Sequence, residues 1–227
     1  MRLHFALDFD GTICPVDTTD LLLERFADPA WEDVEAEWQA GRITSRACLA
    51  RQVDLLRATP EQIAATVREL PLDPAFIPFV THAWLRGAGV SIVSDGFDQS
   101  IVPLLHANGI DLPLSCNRLI HLGADRWAAG FSADGALCGS GTCKCAVVPK
   151  DRQVVLVGDG RSDFCLARRA DYVLAKGRLA DFCREEGIPH QRISNFADAL
   201  PFIAAQGQFT RSPAPVLNTR HLESLHA

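Results

Sequence analysis

Asp8 and Asp10 stand one residue apart, directly after the apolar run Leu3–Leu7 and directly before Gly11-Thr12. Two carboxylates this close repel each other unless a cation lies between them. A hard oxygen-seeking ion, most simply Mg²⁺, meets that need and is the usual companion of phosphate. A second apolar run closes in Ser94-Asp95-Gly96, and a third in Gly158-Asp159-Gly160-Arg161-Ser162-Asp163. Phosphoryl transfer asks for these types: an oxygen nucleophile, a cation against the phosphate oxygens, and fixed donors around them. A carboxylate can serve as the nucleophile through an acyl phosphate, and a second can protonate the leaving alcohol and then activate water. Asp8 and Asp10 suit those two roles. Asp159 and Asp163 are spaced to complete the Mg²⁺ site, and Ser94 can donate to a phosphate oxygen. Lys144 is one of three lysines against 19 arginines, and it lies between two cysteines.

Elements of two kinds must position these residues. Leu3–Leu7 has strand length, and Gly11 permits a sharp turn at its end. Residues 17–70 instead carry helical spacing. A first helix begins at Asp17, Thr18 or Thr19. A second has Trp31, Val34 and Trp38 on one face and stops at Gly41. A third starts after Thr44 or Ser45, and Thr59-Pro60-Glu61 opens a fourth. Beyond Pro78 strand and helix alternate. Strands are expected over 89–94, 114–122, 153–157 and 171–174, and helices over 98–107, 142–148, 162–169, 178–186 and 196–205. A hairpin or flap is expected over 123–137. Such alternation predicts a parallel sheet covered on both faces, an α/β, Rossmann-like doubly wound arrangement. Ligands of such sheets gather beyond the carboxyl ends of the strands, so the three polar clusters should converge there. The chain divides into a core of residues 1–14 and 76–206, a small helical insert of 15–75, and a loose polar tail of 207–227.

Composition narrows the classes. A net charge of -6 argues against a nucleic-acid backbone as the partner. No stretch reaches the ~20 apolar residues of a membrane-spanning helix. The first strand begins within three residues of Met1, leaving no secretory leader, so a cytoplasmic setting with reduced thiols is expected for the eight cysteines. Oligomeric state is unreadable.

D-F-D-G-T, then S-D-G, a downstream Lys, and G-D-G-R-S-D resemble, in that order over residues 8–163, the four motifs of the haloacid dehalogenase superfamily. The resemblance implies Asp8 as nucleophile, Asp10 as general acid/base, Ser94 and Lys144 as phosphate and charge partners, and Asp159 as metal ligand with Asp163 beside it. The helical insert is similar to the cap of the phosphoserine phosphatase-like branch, which closes over the site and selects the substrate.

Within that branch the chain is most similar to the 2-hydroxy-3-keto-5-methylthiopentenyl-1-phosphate phosphatases of methionine salvage. The shared stretches are F-A-D-P-A-W, Cys116-Asn117, Cys143-Lys144 and L-A-D-F-C-R-E-E-G-I-P-H. Ser94-Asp95-Gly96 departs from the S-G-G of that family and is more like the phosphoethanolamine/phosphocholine phosphatases. Asp95 and Gly96, together with Asp17, are therefore candidate substrate-binding residues. The cap arginine of phosphoserine phosphatases falls on Gln52, with Arg51 one place off, which removes the partner of a substrate carboxylate. Ser162 stands where Asn is usual. The expected activity is Mg²⁺-dependent hydrolysis of a small phosphomonoester. The competing class is a phospho-aspartate receiver, which uses similar residues without turnover.

Other chemistry-bearing residues read more plainly. Cys138-x₄-Cys143-x-Cys145 is not a standard ligand pattern, and no histidine completes it, so loop or buried thiols are expected. Trp31, Trp38 and Trp84 read as packing residues. Asp17 and Asp20 can cap the first helix. His4 and His82 lack catalytic partners in sequence. Arg161 can steer an anion at the site edge or cap the helix after it.

Overall fold

The computed structural model describes residues 3–132 and 138–205. Strand β1 (Leu3–Leu7) is buried along its whole length. It lies at the middle of a seven-stranded sheet of order β4-β3-β2-β1-β5-β6-β7. The other strands are β2 (Gly89–Phe97), β3 (Leu114–Gly123), β4 (Arg126–Gly130), β5 (Gln153–Gly158), β6 (Tyr172–Ala175) and β7 (His190–Arg192). All pairings are parallel except β3 with β4, which form a hairpin. A strand buried on both faces needs apolar residues throughout, and L-H-F-A-L supplies them around one histidine, whose Nε2 meets Ser91 Oγ at 2.8 Å.

Four helices follow β1: α1 (Thr18–Phe26), α2 (Trp31–Gln39), α3 (Ser45–Leu55) and α4 (Pro60–Arg68). Their starts obey local chemistry. Asp17 accepts from the amides of Thr19 and Asp20, Thr44 caps α3, and Thr59 with Gln62 forms a reciprocal capping box ahead of Pro60. The remaining helices are α5 (Phe76–Leu85), α6 (Asp98–Ala107), α7 (Lys144–Val147), α8 (Phe164–Ala167), α9 (Gly177–Glu185) and α10 (Phe196–Ala205). On one face of the sheet, Phe5 and Leu7 pack with Phe76 and Phe79 of α5 and Phe196 of α10. On the other, Ala6, Leu156 and Val173 meet Leu166 and Leu179. This is the α/β doubly wound sheet with a helical insert that the alternation predicted.

The differences are instructive. β2 runs three residues past the expected end. Val93 pairs with Ser115 and Phe97 with Asn117, so β2 carries two residues more than β3 over that stretch. The surplus throws Ser94, Asp95 and Gly96 out of the ladder, where their side chains and amides are available for a ligand. The helix expected over 162–169 is a 3₁₀ turn at Arg161–Asp163 leading into α8. β7 was not expected, because three residues carry no period. Trp84 is 40% exposed rather than packed. The flap expected over 123–137 is a hairpin as far as Gly130. Residues 133–137 and the tail of 207–227 lie outside the described residues.

The insert and the hairpin share a small core. Leu22, Val53, Leu56 and Ile63 from the insert pack on Phe97, Leu119 and Trp127. Trp127 Nε1 donates to the carbonyl of Ala58 at 2.7 Å. No helix of the described residues is long and apolar enough to cross a membrane.

Candidate active site

The carboxyl ends of β1, β2 and β5 are neighbours because β1 pairs in parallel with both of the others. Asp8, Ser94 and Asp159 are thus brought together across 151 residues of chain by strand order alone. With Asp10, Asp17, Asp95, Gly96 and residues of α1–α3 they line a cavity of about 160 Å³.

Lys144 is fully buried at the floor. Its Nζ lies 2.7 Å from Asp8 Oδ1 and 2.6 Å from Asp163 Oδ1, and it donates to Ser162 Oγ at 3.1 Å. Three ammonium protons therefore have three partners. Burial opposes the charge, but Asp163 and then Asp8 outweigh it and hold Lys144 protonated well above its ordinary range. Ser162, at the position where the resembled branch carries Asn, thus serves the lysine. Asp163 is equally committed: its Oδ2 accepts from the amides of Asp159 and Gly160 at 3.1 and 3.2 Å. Those bonds fold the loop after β5 back on itself, and a Cβ at Gly158 would meet that carboxylate at 2.3 Å.

Asp8 Oδ1 also accepts from the Phe9 amide at 2.8 Å. Both bonds fall on one oxygen, so Oδ2 is the oxygen left for a phosphorus atom or a cation. Asp10 Oδ1 accepts from the amide of Thr18 at 2.8 Å, at the first turn of α1. The insert thereby fixes the rotamer of Asp10. Gly96 is required beside it, since a Cβ there would lie 2.2 Å from Asp10 Oδ2. Ser94 Oγ accepts from the Gly96 amide at 3.0 Å and keeps its own proton to donate.

Carboxylate oxygens of Asp8, Asp159 and Asp163 converge closely enough to hold a metal ion. Asp159 Oδ1 accepts from Thr12 Oγ1 at 3.1 Å. Burial, then Asp163, raises Asp8 well above its ordinary value and Asp159 to about 6, while burial, then Asp17, raises Asp10 to about 8. The site carries more buried negative charge than Lys144 balances. A hard cation between Asp8 and Asp159 fits that donor set. Asp163, with both oxygens already bonded, fits a bracing role better than direct ligation.

Other residues lie where sequence reasoning placed them but with different partners. Asp95 lines the cavity, yet its Oδ2 accepts from Ser45 Oγ at 2.6 Å. Its Oδ1 accepts from the Thr142 amide at 2.7 Å and from Asn117 Nδ2 at 3.2 Å. It ties α3 of the insert to the β3 end and to the loop before Lys144. Asp17 caps α1 while facing the cavity, and burial raises it. Arg161 lines the cavity and is tied across it to α2. Its Nη1 donates to the carbonyls of Trp38 and Gln39 at 2.8 and 3.0 Å, and the guanidinium stacks over the Trp38 ring. Gln52 donates to Glu35 Oε2 at 3.1 Å inside the cavity, while Arg51 pairs with Glu37 outside it. Thr12, Ser45, Asn117, Thr142 and Lys176 were missed. Lys176 Nζ donates to the carbonyl of Gly11 at 2.7 Å and steadies the β1 turn. Cys116-Asn117 was the one local signal for this group.

The profile of the family described as haloacid dehalogenase-like hydrolase matches residues 5–168. A 2-hydroxy-3-keto-5-methylthiopentenyl-1-phosphate phosphatase of Geobacillus kaustophilus is 32% identical, covering 88% of this chain and 94% of its own length. One from Brevibacillus brevis is 29% identical over the same shares. A substrate-bound phosphoserine phosphatase superposes with a TM-score of 0.69 at 20% identity, covering 89% of this chain and 98% of its own, which speaks for the fold. The matched span runs from β1 through the loop of Asp159 and Asp163 and so contains the residues that converge on the cavity, and the chain belongs to the haloacid dehalogenase-like hydrolases as one of their phosphatases.

Proposed function

We propose that the protein is a Mg²⁺-dependent phosphatase of a small phosphorylated metabolite, acting through an aspartyl phosphate on Asp8. The observation that carries this reading is the Asp8–Lys144–Asp163 chain beneath a cavity that Asp10 enters from the insert side. Asp8 and Asp159 would hold Mg²⁺, which would neutralise charge at the phosphate oxygens. Asp8 Oδ2 bonds to phosphorus as the ester P–O bond breaks, and Asp10 passes its proton to the departing alcohol oxygen. Water then attacks phosphorus, its proton returns to Asp10, and Asp8 is released. Lys144 holds Asp8 in line and keeps it charged. The Ser94 hydroxyl donates to a phosphate oxygen. Residues 15–75 act as a cap, with Asp17, Asp95 and Gly96 on the substrate side.

The relatives favour 2-hydroxy-3-keto-5-methylthiopentenyl-1-phosphate as the substrate. One observation favours a second reading. Asp17, Asp20, Glu35 and Asp95 line the cavity beyond the reacting carboxylates, and among the described lining residues Arg161 is the one cation. Burial, then Asp17, raises Asp20 to about 7. Such a wall suits a cationic head group, as in phosphocholine or phosphoethanolamine, and disfavours the carboxylate of phosphoserine. Turnover of these four compounds, with and without EDTA, tests the assignment. Mg²⁺-restorable hydrolysis of one of the first three, abolished in Asp8→Asn, is expected. Full turnover in Asp8→Asn would overturn the mechanism, and a preference for phosphoserine would overturn the reading of the cap wall.

A further inference from the structure

Four of the eight cysteines lie close together beside Lys144, and none of the four lines the cavity. Cys143 Sγ lies 3.2 Å from Cys138 Sγ and 3.5 Å from Cys145 Sγ. Cys145 Sγ lies 3.5 Å from Cys138 Sγ and 3.3 Å from Cys165 Sγ. None of the four is in a disulfide. The other four, Cys14, Cys48, Cys116 and Cys183, are separate from this cluster and from the bonds within it. Three of the grouped cysteines come from the loop before α7 and from its first turn. The fourth comes from α8, twenty residues on, which is why the spacing of Cys138, Cys143 and Cys145 looked incomplete.

We infer that Cys138, Cys143, Cys145 and Cys165 form a tetrathiolate site for one zinc ion. Four sulfurs around a single centre are the donor set of structural zinc. Zn–S bonds of about 2.3 Å in a tetrahedron separate the sulfurs by about 3.8 Å. The sulfurs of Cys138, Cys143 and Cys145 already converge closely enough to hold a metal ion, and Cys165, in contact with Cys145, completes the tetrahedron by turning toward Cys138 and Cys143. The surroundings suit a closed structural site. Cys143 and Cys145 are buried, and Val148, Phe164 and Ala167 pack in the same core cluster. Cys138 is exposed and leaves a path for the metal to enter. Binding replaces four S–H protons with one Zn²⁺ and involves no change of oxidation state.

The position gives the site a purpose. Lys144 stands between two ligands, and Asp163 is two residues before a third. Zinc would clamp α7 to α8 and so hold the Lys144–Asp163 ion pair from behind. The metal touches neither substrate nor the carboxylate site, and its cysteines position the lysine.

The test is zinc content of the intact protein after dialysis against EDTA. About one zinc per chain is expected in the wild type and in Asp8→Asn, falling at least about ten-fold in Cys165→Ser. Cobalt(II) offered to metal-depleted protein should give the intense thiolate-to-metal charge-transfer bands and tetrahedral visible bands of a four-sulfur site. That measurement uses the wild-type chain and stands even if Cys165→Ser does not fold. A wild-type chain that binds neither zinc nor cobalt in this way overturns the inference, as does a Cys138–Cys143 disulfide found by mass spectrometry in metal-free protein. Zinc retained in full by a folded Cys165→Ser, or lost in Asp8→Asn, also overturns it.

Discussion

The Lys144 ammonium touches Asp8 Oδ1 at 2.7 Å with the lysine wholly cut off from water. An ion pair so buried is costly to break, because removing one member leaves the other unpaired. Here two carboxylates would be left, since Asp163 shares the same nitrogen. Lys144→Ala should lower stability by about 3–5 kcal/mol and turnover by at least about a hundred-fold. Lys144→Arg should rescue neither, because a planar guanidinium does not fit between oxygens 2.6 and 2.7 Å from one nitrogen. Urea denaturation and p-nitrophenyl phosphate hydrolysis read both effects, and an active, stable arginine variant would contradict the assignment.

Asp95 is expected to act as a brace for the cavity wall. Asp95→Ala strands the Thr142 amide, while Asn117 Nδ2 keeps the carbonyl of residue 95, and should cost about 2–3 kcal/mol, whereas Asp95→Asn keeps an acceptor toward Thr142 and should cost about 1 kcal/mol. The Ser45 hydroxyl can turn from donor to acceptor and follow the change. Chemical denaturation of the two variants measures the difference. Equal costs would mean that the Thr142 amide finds another partner.

Arg161 links the β5 loop to the carboxyl end of α2, and its reach spans 122 residues of sequence. The bonded carbonyls belong to the last turn of a helix, where a cation is favoured. Losing about 1 kcal/mol from cap closure lowers the closed-to-open ratio roughly five-fold. Arg161→Ala should therefore raise KM several-fold with a small change in thermal midpoint. A fall in kcat with KM unchanged would place Arg161 on the reacting phosphate instead.

His4 makes stability depend on pH. Burial, with Arg152 adding, lowers its pKa from 6.5 to about 4, against a smaller opposing effect of Asp151. The unfolded chain takes up a proton first, near pH 6.5. The stability this histidine contributes is complete above that pH and drains away as pH falls toward 4, by about 3 kcal/mol over the span. His4→Gln keeps a polar partner for Ser91 without titrating. Its urea midpoint should fall less than that of the wild type between pH 7 and pH 4.5. Parallel falls would show that His4 is not the group responsible.

Much of the site was legible because its chemistry is local. Asp8, Asp10, Ser94 and Asp159 each follow an apolar run that announces a strand, and parallel strands with their ends at one edge must bring such residues together. The caps at Asp17, Thr44 and Thr59 were readable for the same reason: a cap contacts amides two or three residues away. What only the tertiary structure decided are contacts between elements far apart in sequence. Asp95 reads from the sequence as a candidate substrate-binding residue, and only the packing shows its bonds to Ser45, Asn117 and Thr142, of which Asn117 alone lay in a local signal. Arg161 reads as steering an anion or capping the next helix, and its Nη1 reaches the end of α2. Cys165 gave no sign of meeting Cys145, twenty residues earlier. Backbone propensity and hydrophobic period act over a few residues and specify the elements. Partners at long range are chosen by how those elements pack, and that choice depends on the whole sheet.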